Sequence, residues 1–253
     1  ISPPQQTKLP CETMSWKESN CHKRILRDAE AGGYGVIAAI AYNIEQVLGL
    51  VKAAETARSP LIIQFFPWAI EATDGLLIRA AADAAKRASV PISIHLDHAQ
   101  SEDIIKRAAE LPFDSIMVDM SHYDKEVNLS KTHELVQYCN ERQKVTEAEP
   151  GRIEGGEDGV MDTAGLEACM TTAEEVDEFV ATGVDVLAPA FGNIHGEYGP
   201  RGPRLDFERL VNDRTPSHIV YLYVVVPDLR RSASRRMGAS TLLSTGPMGL
   251  SQN

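Results

Sequence analysis

Pro91-Ile92-Ser93-Ile94-His95-Leu96-Asp97-His98 is a run of largely aliphatic residues that follows a proline and ends in two imidazoles and a carboxylate. The run predicts a buried strand. Its charged end must face water, a metal or a substrate, because an unpaired buried charge is too costly to keep.

Similar runs recur on either side of it. Tyr34 to Tyr42, closed by Asn43, and Leu61 to Phe66 precede it, while Ser115 to Met120, Lys144 to Glu149, Val184 to Ala190 and Ile219 to Val226 follow. Helical patterns fill the gaps: Ile44 to Ala57, about Asp74 to Ala88, Ser101 to Glu110, Leu129 to Arg142, Thr172 to Thr182 and Leu205 to Val211. Thr172 followed by Glu175 is a capping-box start. Serial βα units with buried strands, and no G-x-G-x-x-G after the first of them, favour a TIM-type (β/α)8 barrel over a doubly wound sheet. The pattern fails near Val226, so strand eight and the end of strand seven are expected to be aberrant or missing, leaving two unpaired edges. Residues 1–19, rich in Pro and Gln at their start, read as a disordered or non-native extension in which Met14 is a natural start. Residues 20–226 read as the barrel. Residues 227–253, with Arg230, Arg231, Arg235 and Arg236, read as an irregular basic tail.

Composition narrows the function. The chain of 253 residues carries a formal net charge of -11, which disfavours a nucleic-acid footprint. Cys11, Cys21, Cys139 and Cys169 form no C-x-x-C pair, as expected of reduced thiols in a cytoplasmic protein. No apolar run is long enough to span a membrane.

Asn43, Asp97, His98, Asp119, Glu149 and His195 all fall at the C-terminal ends of predicted strands, where barrel enzymes build their sites. Two imidazoles from different strands with several carboxylates make a mixed N/O ligand set suited to Zn²⁺ or a related divalent ion. A single strand-end histidine more often satisfies a loop carbonyl, but convergence from several strands reverses those odds. His95 shares the strand face of Asp97 and reads as a hydrogen-bonded core histidine. His22 and His133 read as surface residues. Gly151, Gly155, Gly156 and Gly159, interspersed with Glu154, Glu157 and Asp158, predict a mobile acidic loop that could offer one carboxylate as a proton carrier.

Four ordered motifs, His95-Leu96-Asp97-His98, Ile116-Met117-Val118-Asp119-Met120-Ser121-His122, Glu147-Ala148-Glu149-Pro150-Gly151 with Gly155-Gly156-Glu157-Asp158, and Val184 to Ala188 continuing to His195-Gly196-Glu197-Tyr198, resemble the class II, zinc-dependent ketose-bisphosphate aldolases. The resemblance implies retro-aldol cleavage of a fructose 1,6-bisphosphate type of sugar to dihydroxyacetone phosphate and an aldehyde. It implies His98 and His195 as zinc ligands, Asp119 and Glu149 at an alternative metal position or around a second divalent or monovalent cation, and Asp97 as the acid/base. Glu157 would be the loop proton carrier, and Gly196 and Asn43 would lie against the phosphorylated sugar. No nucleic acid or membrane partner is implied, and a homodimer is allowed. The family's third zinc histidine would stand at the end of strand seven, where this chain has Tyr221-Leu222-Tyr223-Val224-Val225-Val226-Pro227. The alternative expectation is therefore a truncated, catalytically inactive barrel lacking that ligand and the phosphate site, with a replaced reading frame behind the abrupt tail.

Overall fold

The computed structural model describes residues 15–153, 155, 170–195, 202, 204–212, 220–224 and 242–245. Parallel strands β1 (Ile37–Ile40), β2 (Leu61–Phe65), β3 (Ile92–Ala99), β4 (Ser115–Val118), β5 (Val145–Ala148), β6 (Val186–Leu187), β7 (Val220–Val224) and β8 (Leu242–Thr245) pair in sequence order into a closed barrel. Between them run α3 (Ile44–Ala57), α4 (Pro67–Thr73), α5 (Leu76–Arg87), α6 (Glu102–Ala109), α7 (Lys125–Glu141), α8 (Ala173–Ala181) and α9 (Phe207–Asn212). The α/β parallel architecture is the one expected. Where strand eight and the end of strand seven were expected to be aberrant or missing, Leu242–Thr245 forms a short eighth strand that pairs with β7 on one side and β1 on the other. A strand of four residues among Ser and Gly is too short to register as a period.

Local chemistry explains where the elements begin. Asn43, Ser101 and Thr172 accept backbone N–H groups at the starts of α3, α6 and α8, and Thr172 with Glu175 completes the expected capping box. Between β2 and β3 there are two helices where one was expected. Pro67 opens α4, and left-handed Asp74 and Gly75 end it before α5 can start. Among the described residues no helix is long and apolar enough to cross a membrane.

Two further helices, α1 (Trp16–Ser19) and α2 (Cys21–Gly32), lie ahead of β1. The helix α1 thus lies within the stretch 1–19 that was expected to be an extension. Ile25, Leu26 and Ala29 of α2 pack with Val36, Ala38, Ile62, Val145 and Val186, residues at or near the starts of strands, so α2 closes the N-terminal mouth of the barrel. Lys17 and Lys23 both reach Asp185 Oδ1 at 3.0 Å, while Asp185 Oδ2 accepts the Thr146 backbone N–H at 3.2 Å. His22 is buried against Ser93 and Ser115, with its Nδ1 2.9 Å from both hydroxyls. The expectation of a surface His22 is thereby corrected. The signal was present, since residues 22, 25, 26 and 29 form one helical stripe.

Two stability measurements follow from this floor. Asp185→Ala frees two lysines and the Thr146 amide and should lower unfolding free energy by about 2–3 kcal/mol in urea titrations, less than a fully buried pair because both lysines are part-exposed. Burial pushes His22 down to about 3, with Asp185 opposing and Lys23 adding to the fall. Its folded value lies below its unfolded one, so its contribution is complete above about pH 6.5 and is lost as pH falls toward 3, at about 1.4 kcal/mol per pH unit. His22→Gln should flatten that acid slope, and an unchanged slope would show that His22 is not its source.

A candidate metal and proton-transfer site

Side chains alternate along a strand, so Asp97 and His98 should point to opposite faces of β3. They do not, because the pairing of β3 with β4 shifts between Leu96 and Ala99 and His98 takes φ +46. A bulge of this kind re-aims a side chain, here at a backbone cost of about 1–3 kcal/mol for a left-handed non-glycine residue. Both side chains are buried at the C-terminal end of the barrel.

His98 Nδ1 lies 2.8 Å from Asp119 Oδ2, which also accepts Gln100 Nε2 at 3.1 Å. Asp119 Oδ1 accepts the backbone N–H and the hydroxyl of Ser121 at 3.0 and 2.7 Å. Asp119 has both oxygens engaged and orients the ring with Nδ1 protonated, leaving Nε2 turned inward. Asp97 Oδ1 is 3.9 Å from that Nε2, and Gln64 Nε2 donates to Asp97 Oδ2 at 2.9 Å. His195, half-buried on the segment after β6, meets the His98 ring edge-on at 4.9 Å between centroids.

Glu149, one residue past β5, is buried, and its Oε1 accepts the Ile153 backbone N–H at 2.7 Å. Among the described residues its Oε2 has no hydrogen-bond partner of good geometry. One ligand atom each from His98, Glu149 and His195 lies within 4.8 Å of the others. Two imidazole nitrogens, one of them the prepared Nε2 of His98, and one buried carboxylate oxygen fit a divalent ion. The structure therefore brings together three of the four expected metal residues and places the fourth, Asp119, behind His98.

Charge is concentrated here. Burial opposes the charge on His98, but Asp97, the hydrogen bond that its ring donates to Asp119 and the nearby Glu149 outweigh it and hold the imidazole well above its ordinary value. Burial, reinforced by Asp119, raises Glu149 to about 8. Burial also raises Glu147 well above the usual carboxylate range, with Asp97 adding to the rise. His95, expected as a core histidine, pairs its Nδ1 with Ser115 Oγ at 2.6 Å, and its Nε2 faces Glu147 Oε2 at 3.4 Å.

Asn43 is exposed and spends its side chain on the Gln46 backbone N–H at 2.9 Å. Glu157 and Gly196 lie outside the described residues. Sequence reasoning passed over Gln64 and Ser121. Gln64 carried a signal, as the lone polar residue in the apolar run Leu61–Phe65, whereas Ser121 carried none.

Comparison with known proteins gives a consistent result. The family model for fructose-bisphosphate aldolase class-II matches residues 20–224. A curated protein of Coccidioides immitis (strain RS), provisionally named a fructose-bisphosphate aldolase, is 58% identical over 201 residues, covering 76% of this chain and 67% of that protein. The fructose-bisphosphate aldolase of Giardia intestinalis is 37% identical over 179 residues, 70% of this chain and 54% of its own length. Against that second relative the matched stretch is thus about half of the whole protein. A crystal structure from Coccidioides immitis, again provisionally a fructose-1,6-bisphosphate aldolase, superposes with TM-score 0.81 at 49% identity, covering 90% of this chain and 82% of that one.

The site geometry predicts how a divalent ion should bind. In the metal-free site Glu149, raised to about 8, and His98, held well above its ordinary value, carry protons that an ion must displace, so affinity should rise with pH and proton release should be measurable by calorimetry in two buffers. Asp119→Ala should weaken Zn²⁺ about 10–100-fold in a competition titration, through lost orientation of His98.

Proposed function

The chain belongs to the class II fructose-bisphosphate aldolase family, and we propose that it cleaves a ketose 1,6-bisphosphate to dihydroxyacetone phosphate and an aldehyde, with Zn²⁺ as its ion. The observation that carries this reading is the grouping of His98, Glu149 and His195 beside Asp97 at the C-terminal end of the barrel. His98, His195 and Glu149 would hold the ion. When bound, zinc would act as a Lewis acid toward the ketone oxygen adjacent to the breaking carbon–carbon bond.

The remaining chemistry falls to side chains. Asp97, aligned by Gln64, is the proposed base that takes the proton of the hydroxyl that becomes the aldehyde oxygen. The electron pair of the broken bond passes to the ketone-bearing fragment, and Glu157 is proposed to return a proton to its carbon. Asn43 and Gly196 are proposed contacts to the sugar. Asp119 is proposed to act through His98 and not as an ion ligand, since both its oxygens are engaged. One ion is therefore proposed instead of two. A cytoplasmic enzyme of carbohydrate metabolism is the proposed setting.

A second reading, an inactive barrel, is favoured by one observation: Tyr221-Leu222-Tyr223-Val224 in and around β7 offers no histidine for the ion. Glu149 as third ligand is the competing answer. The full chain with Zn²⁺ should cleave fructose 1,6-bisphosphate, lose that activity to EDTA and regain it with added Zn²⁺. Asp97→Asn should lower kcat by about 10²–10⁴-fold while leaving ion affinity within a few-fold. A zinc-loaded wild-type chain with no cleavage would establish the inactive reading.

A further inference from the structure

The segment that leaves β5 makes three backbone-level grips around the candidate ion site. Arg152 donates from Nε to the Ser121 carbonyl at 2.9 Å and from Nη2 to the Tyr123 carbonyl at 3.1 Å, tying the segment to the turn after β4. The Ile153 N–H holds Glu149 Oε1 at 2.7 Å. Gly155 lies so close to His195 that a Cβ on it would sit 2.2 Å from the His195 carbonyl oxygen and 3.3 Å from the His195 Cβ. Its φ of +102 is one that residues with a side chain rarely adopt. Any larger residue must push the segment and the His195 backbone apart, and the contact is with backbone, which cannot rotate away.

We propose that Arg152, Ile153 and Gly155 form a positioning element for the ion site, in which the Ile153 amide fixes Glu149, Gly155 permits the close approach that fixes His195, and ion binding and the packing of these residues reinforce each other. This rests on the reading that His98, Glu149 and His195 hold a divalent ion. The physical reason is division of labour: β3 aims His98 by its own bulge, whereas Glu149 and His195 stand one and eight residues beyond short strands. Ligands on such segments need an external brace to keep a coordination geometry. Coupling is reciprocal, so an ion that draws Glu149 and His195 together must also tighten what lies against both.

The test uses the full chain with Co²⁺ and Zn²⁺. Gly155→Ala should weaken Co²⁺ about tenfold or more and change the intensity of the visible cobalt bands, which report ligand geometry. Gly49→Ala, in mid α3 with nothing within 4 Å of the added carbon, should match wild type in both. In the wild-type chain, saturating Zn²⁺ should slow amide hydrogen exchange in the peptide containing Ile153 and Gly155. Unchanged Co²⁺ affinity and bands in a folded Gly155→Ala protein would overturn the inference, as would exchange in that peptide that ignores Zn²⁺. Should Gly155→Ala not fold, the exchange measurement decides alone. A wild-type chain that binds neither ion removes the metal reading itself and this inference with it, an outcome distinct from a normal wild type with an insensitive variant.

Discussion

The left-handed backbone of His98 is the constraint on which the rest of the mouth depends. A regular β3 would send Asp97 inward and His98 outward, and only one of the two side chains would face the site. The shift in pairing between Leu96 and Ala99, with φ +46 at His98, puts both on one side. The conformation is disfavoured for a residue with a Cβ, so it persists only because its surroundings over-determine it. Asp119 contributes to that hold, with one oxygen on His98 and the other on Ser121.

The same crowding sets the charge balance. Asp97, Asp119, Glu147 and Glu149 are buried within one end of a barrel, and like charges at that density cannot all ionise. The structure divides them by environment. Asp119 has hydrogen bonds enough to stay ionised, whereas Glu147 and Glu149 are driven toward their neutral forms. A divalent ion at His98, Glu149 and His195 would relieve the remaining excess, which is why an acidic mouth and a metal site are one design and not two. At the opposite mouth the polarity is reversed in kind: Asp185 is held by two lysines and two Thr146 donors, and α2 with His22 closes the barrel without chemistry.

Much of this was legible in the chain. Alternation of buried strands and helices gave the barrel, and strand-end placement singled out Asp97, His98, Asp119, Glu149 and His195. The failures have separate physical causes. His22 was misplaced because a helical stripe containing one polar residue was weighed by that residue instead of by Ile25, Leu26 and Ala29. The eighth strand went unseen because its four residues earn their place by pairing at both edges, which no local period records.

By itself, the sequence determined the class of fold, the end of the barrel that carries chemistry and the residue types gathered there, because hydrophobic period and strand-end polarity are local properties. Only the tertiary structure decided which of those residues meet. The bulge at His98, the approach of Glu149 to His98 and His195, the retreat of Asp119 behind His98 and the contact of Gly155 with His195 all depend on distances between strands remote in the chain. Such distances are fixed by packing and register, to which a linear pattern is blind.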